Sequence, residues 1–179
     1  MPKERKRPEM LAKTAVVTFS MLSLVAFAQH PAETAVSDSE VLARVAEFHG
    51  AAGVWAVAGY RIGSRALKEL AEKRGSFSLD VTHKTPLEVQ WSCIADGVQA
   101  ATGVSAGKLN LHIVEVTKDQ LQTVVWDRKT GKVLLFRIQP GFLAKYLDIP
   151  EDRQPAAAHE VLKLSDNSIF TVVEQSRKP

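Results

Sequence analysis

The 179-residue chain predicts an α+β domain, with N-terminal helices followed by a mostly antiparallel sheet and additional helices. Three observations carry that class. Apolar residues recur at helical intervals from residue 37 onward. Two β-rich runs then flank the turn-forming stretch Asp127-Arg128-Lys129-Thr130-Gly131. The regular strand and helix alternation that a doubly wound sheet needs is absent.

Residues 1–28 stand apart from the domain. They begin with Lys3, Arg5, Lys6, Arg7 and Lys13, continue through the apolar run 15–28 and end in Ala26 and Ala28. That run has 14 residues, short of the roughly 20 that span a bilayer, and its small-residue end suits a signal peptidase. The chain is therefore expected to be exported after cleavage, as a secreted or bacterial periplasmic protein with no membrane partner. Residues 29–38 are polar, contain His30 and lack periodicity, which predicts a flexible lead; a single domain over 39–175 follows.

The signal also explains the charge. Of the formal net charge of +3, residues 1–28 supply five Lys/Arg against two Asp/Glu, so the remainder carries 18 of each sign. No Lys/Arg run exceeds a pair there, which excludes the basic face that nucleic-acid binding requires.

Within the domain, Ser37 and Glu40 stand at capping-box spacing ahead of Val41, Leu42, Val45 and Phe48, predicting a helix that closes at Gly50. A second helix is predicted over 53–74, with Ala56, Ala58, Gly59 and Gly63 permitting close packing and Gly75 as its cap. Residues 87–92 read as the first strand. Ile94, Val98 and Ala101 share a helical face, giving a helix over 94–101 that Thr102-Gly103 ends. Strands are predicted at 109–116, 121–126 and 133–138 as an antiparallel meander. Helices at 140–147 and 155–164, the latter with Pro155 in its first turn, precede a closing strand at 168–174.

The chemistry concentrates on Cys93, the only cysteine. It cannot form an internal disulfide, so it is buried, reactive or paired with another molecule. His49 is its natural companion. An imidazole beside a thiol lowers the thiol pKa and makes a nucleophile and base, and the same two atoms ligate zinc. Three protein ligands plus water make a catalytic zinc site, and Asp96 or a second histidine would have to supply the third. His49 read structurally is a helix-terminal residue bonding backbone carbonyls, and His83, His112 and His159 read as surface or sheet-packing residues. Trp55, Trp91 and Trp126 read as core or cleft walls. Residues 102–108 lack phosphate-loop spacing, since Gly103 precedes Gly107 by four and Leu109 follows Lys108. The turn is a tight connector, or a small-anion site using its backbone N–H groups and Lys108.

Two segments, FHGAAGVWAVAGYR at 48–61 and SCIADGVQAATGVSAGKLNL at 92–111, resemble the signature of the FmdE family of formylmethanofuran dehydrogenase proteins. In the second, Ser92, Cys93, Asp96, Gln99, Thr102, Gly103, Gly107, Lys108, Asn110 and Leu111 fall on the family pattern, with Gly97 in place of alanine and Ser105 in place of threonine. In the first, Phe48, His49, Gly50, Gly59, Tyr60 and Arg61 remain, while Ala51 and Gly53 stand where the pattern has histidine and cysteine. The resemblance spans residues 40–174. It implies a cleft around His49, Cys93, Asp96, Gln99 and Lys108, with Asn110 and Arg61 as further ligand-binding residues.

Two functions follow as expectations. The first is non-catalytic binding of a small molecule or anion, needing no cofactor. The second is a metal- or thiol-dependent enzyme, or an accessory component of a molybdenum or tungsten oxidoreductase, with His49 and Cys93 holding zinc or another divalent metal. A homodimer packed through the small residues from Ala56 to Gly63 is a third, structural possibility.

Overall fold

The computed structural model describes residues 36–176. The expected signal and residues 29–35 of the expected lead lie outside the described residues, and the last two residues of that lead, Ser37 and Asp38, already form the start of a helix. Helix α1, Asp38–His49, starts at the predicted box: Ser37 Oγ accepts the Glu40 N–H at 3.3 Å, and the Glu40 carboxylate accepts the Ser37 N–H at 2.8 Å. It closes at Gly50, whose φ of 85° is the left-handed conformation glycine adopts without strain.

Helix α2, Val54–Leu70, ends earlier than its periodicity predicts, at Ala71 with φ 52°. The chain must leave the helix there because residues 74 and 75 serve α3, Val89–Thr102. Arg74 Nε donates to the Ala100 carbonyl at 3.1 Å and the Gly75 N–H to the Thr102 carbonyl at 2.7 Å.

Helix α3 corrects a second expectation. Residues 87–92, expected as a strand, form its N-cap at Glu88 and its first turn. The first strand is instead β1, Leu79–Thr85. Its inward positions alternate as Leu79, Val81, His83 and Thr85, all buried. Two of the four are polar, which hides the alternation from a hydrophobicity count.

The remaining strands are β2, Leu111–Glu115, β3, Gln122–Asp127, and β4, Lys132–Ile138. After them come helices α4, Pro140–Tyr146, α5, Gln154–Lys163, and α6, Asp166–Ile169, then β5, Phe170–Ser176. The sheet order is β2-β1-β3-β4-β5. Strands β3 and β4 pair antiparallel, as the expected meander has them, β5 adds antiparallel to β4, and β1 joins β3 antiparallel. The edge differs: β2 pairs parallel with β1 rather than neighbouring β3. Helix α3 supplies the long crossover that a parallel pair requires.

The core lies between the inward sheet face and helices α1, α2, α3 and α5. Its tightest seam is between α2 and α3. A Cβ added at Gly97 would stand 1.8 Å from the Ala56 carbonyl oxygen, and one at Gly59 would stand 2.1 Å from that of Ile94. At Gly63 it would meet the Ala101 Cβ at 2.7 Å. The small-residue face offered for a homodimer is thus filled by α3 of the same chain.

His83 ties the sheet to this seam. It is fully buried; its Nε2–H donates to the Trp91 carbonyl at 3.0 Å, and its Nδ1 accepts from the Thr123 hydroxyl at 2.9 Å. Burial pushes its pKa down to about 4.

Two outcomes are expected. Gly97→Ala gains helix propensity but forces two backbones apart, and it should lower the unfolding free energy by about 3 kcal/mol or more in chemical denaturation. An unchanged midpoint would contradict the seam. Below about pH 6.5 the unfolded chain takes up a proton that folded His83 refuses until about pH 4. Stability is therefore lost as pH falls through that window, on the order of 3 kcal/mol in full. His83→Gln, which retains a donor toward Trp91 but cannot titrate, should flatten the pH dependence of the melting midpoint; an equally steep profile would place the titration elsewhere.

Candidate functional site

The starts of α2, α3 and α5 meet the end of α1 around a cleft of about 890 Å³. Leu42, Ala52, Val54, Trp55, Val89 and Pro155 give it apolar walls, and His49, Glu88, Gln90, Cys93, Glu151, Gln154 and His159 give it polar points. An aromatic chain supports one wall. Trp55 lies 5.1 Å from Trp91 and 5.4 Å from Phe142, which in turn lies 4.6 Å from Tyr146. Gln154 fixes the junction of helices. Gly53 provides no side-chain cap for α2, and Gln154 Oε1 accepts the Val54 N–H at 3.1 Å while its Nε2 donates to the Ile149 carbonyl at 3.0 Å.

His49 ends α1 at the cleft wall, where its Nδ1 is 2.8 Å from Asp96 Oδ2 on α3. The sequence offers Asp96 as a third metal ligand; the fold makes it the hydrogen-bond partner of His49. Cys93 lies one turn earlier on α3, buried but lining the same cleft. Its thiol donates to the Val89 carbonyl at 2.7 Å and makes no hydrogen bond to His49. Burial, and secondarily the Asp96 charge, push the thiol pKa up to about 11. The nucleophile and base pair is not joined in this arrangement: the Cys93 thiol is directed to the Val89 carbonyl rather than to His49, and burial favours its neutral form, the less reactive one.

The other residues expected in the cleft are elsewhere. Arg61 donates to the carbonyls of Val161, Leu162 and Leu164 and to Asp166, binding the end of α5 to α2. A planar guanidinium suits that cluster of carbonyls as well as it would suit a ligand. Lys108 spends its ammonium on the carbonyls of Gly75 at 3.3 Å and Gly103 at 2.9 Å. Asn110 is fully buried, accepting from the Ser105 N–H and donating to the Leu79 carbonyl. The glycine turn is thus a connector whose polar groups satisfy one another. Gln99 sits half-buried on α3 beyond the cleft lining. Of the expected set, only His49 and Cys93 line the cleft, with Asp96 behind His49.

His159 and Gln154 line it too, and the sequence carries no signal for either. A surface or sheet-packing role fits His83 in the sheet and His112 on β2, but the docking of α5 puts His159 at the cleft.

Ala51 and Gly53 also line the cleft. Neither side chain carries a donor atom. Among the described residues, no group of three or more His, Cys, Asp and Glu side chains is disposed to share a metal ion. His49 and Cys93 by themselves, the latter a neutral thiol, fall short of the three protein ligands of such a centre.

Cys93 alkylation by iodoacetamide should accordingly run more than about 100-fold slower than free cysteine at pH 8 and accelerate toward pH 11. Asp96→Asn, by removing the nearby charge, should recover part of the difference. Rapid modification at neutral pH would show a thiolate and reopen the nucleophile.

Known proteins share this architecture. Among solved structures, the crystal structure of a tungsten formylmethanofuran dehydrogenase FmdE-like protein from Syntrophus aciditrophicus is similar, with a TM-score of 0.56 and 18% identity over 81% of this chain and 75% of that one. At that identity the likeness is one of fold. No curated protein matches. Residues 48–173 match the family described as FmdE, molybdenum formylmethanofuran dehydrogenase operon. Matched over most of its length and sharing the fold of an FmdE-like protein, the chain belongs to the FmdE family.

Proposed function

We propose that this FmdE domain binds a small molecule in the cleft between α1, α2, α3 and α5 and does not perform thiol or metal chemistry there. The observation that carries this reading is the cleft itself. It is large, its exposed surface is mostly apolar, and polar side chains stand at points around it, with Ala51 and Gly53 leaving its wall open. The ligand class it suits has an apolar body and one hydrogen-bonding end. Asp96 takes the Nδ1–H of His49, so Nε2 is the nitrogen left for that end. Cys93 adds a small, neutral surface.

A second reading draws on the same His49–Asp96 pair. A histidine oriented by a carboxylate serves as an acid–base group, and the similar solved structure is named for a tungsten enzyme system. In that reading the domain is an accessory component or enzyme acting beside a molybdenum or tungsten oxidoreductase. Either role would be carried out outside the cytoplasm once residues 1–28 are removed. N-terminal sequencing of the protein from its native cell tests the export, with Gln29 as the expected first residue and Met1 as the contrary one.

Binding is tested by titrating the isotopically labelled protein with a panel of single-ring acids, alcohols and amines and following amide shifts. At least one compound should shift His49, Val54, Trp55 and Gln154 saturably. Ala51→Trp, which fills the wall, should weaken that compound at least about tenfold without altering far-ultraviolet circular dichroism. No saturable compound, or one indifferent to Ala51→Trp, would remove the cleft from consideration. If Asp96→Asn abolishes a turnover that Ala51→Trp also blocks, the acid–base reading replaces simple binding.

A further inference from the structure

We infer that the sheet face opposite the helices carries a second site, for a small oxyanion, built from Lys84 on β1, Gln122 on β3 and Arg137 on β4. It is independent of the cleft.

The placement follows from strand register. Lys84 pairs directly with Gln122, and Gln122 stands one place beyond the pair Thr123↔Phe136, opposite Arg137. The neighbouring row His83, Thr123 and Phe136 is buried against the helices. Successive side chains in a strand point to opposite faces, so Lys84, Gln122 and Arg137 share the other one. With strands ~4.8 Å apart, the two cations start ~10 Å from each other with an amide between them. Both are long enough to reach a ligand seated over Gln122.

The three line a hollow of about 260 Å³, closed by Val116, Asp119 and Gln120 after β2. Its cations are unlike others nearby. In the hairpin turn Arg128 lies 3.7 Å from Asp80, and on β4 Lys132 lies 3.4 Å from Glu174. Among the described residues, neither Lys84 nor Arg137 has a carboxylate within 4.0 Å or a side-chain hydrogen bond, Asp119 included. Two unpaired cations held around one concavity repel each other, and an anion between them relieves that. A guanidinium fork, an ammonium and a carboxamide together offer donors to several oxygens of one group, which is the demand of a carboxylate or phosphate. Asp119 at the rim leaves the lining at a formal +1 and opposes highly charged ligands. Its carboxylate can accept the remaining hydroxyl of a partly protonated phosphate.

The test is an amide and Arg side-chain titration of the full-length protein with inorganic phosphate, and separately with acetate, at low ionic strength. Saturable shifts confined to Lys84, Gln122, Arg137 and the 116–120 segment are expected. Lys84→Gln and Arg137→Gln should each weaken binding about tenfold, the pair should remove it, and Asp119→Asn should strengthen it several-fold. Saturation by both anions assigns a general oxyanion site, and saturation by phosphate alone assigns a phosphate site. Ala51→Trp should leave the titration unchanged, which separates this site from the cleft. Shifts that stay linear in concentration, that scatter over the surface, or that survive Arg137→Gln would overturn it. Both cations are on the outward face, so unchanged melting midpoints verify that the variants fold.

Discussion

The backbone contact between α2 and α3 is the constraint on which this fold rests. At Gly59 and Gly97 the two helices approach so closely that a single methyl group on either would collide with the other's carbonyl oxygens. Such an approach aligns the two helix starts at one end of the seam, with Trp55 and Cys93 facing the same space. The cleft is a consequence of that alignment. It opens where the helices begin to part, and α1 and α5 close its sides.

Much of the polar machinery that looks functional in the chain serves to hold this arrangement. Arg61 seals the end of α5 onto α2, Lys108 and Asn110 knit the turn after α3, and His83 bridges β1 to the first turn of α3. Each is a buried or half-buried polar group whose hydrogen bonds are met inside the protein, as burial demands. A motif dense in such residues marks a junction of elements as readily as a ligand site. Here the segment 92–111 contains both: its first turns face the cleft, and its last residues are structural.

The cleft departs chemically from the metal centre that the family pattern implies. Two donor positions are Ala51 and Gly53, the remaining thiol is buried and neutral, and the remaining histidine is occupied at Nδ1 by Asp96. Small residues in place of donors leave the cavity wider at the same wall. In the proposed reading, a wall suited to holding an ion instead admits a larger, less charged guest, and the carboxylate behind His49 keeps the imidazole oriented for it.

The α+β class, the box at Ser37 and Glu40, the hairpin around Asp127 to Gly131 and the family were all legible in the chain, because caps, turns and motif residues act over a few positions. His49 and Cys93 were singled out there as well, and both line the cleft. The first strand was not legible, since His83 and Thr85 occupy inward positions that alternation assigns to apolar residues. Nor was the parallel edge, because strand order depends on where the α3 crossover lands. Asp96 meets His49 across 47 positions, and Gln154 meets Val54 across 100. Local sequence determined which residues were available to the site, while the packing of α5 and the glycine seam decided which of them face one another. Contacts between distant segments are set by how whole helices fit, and no spacing along the chain encodes that fit.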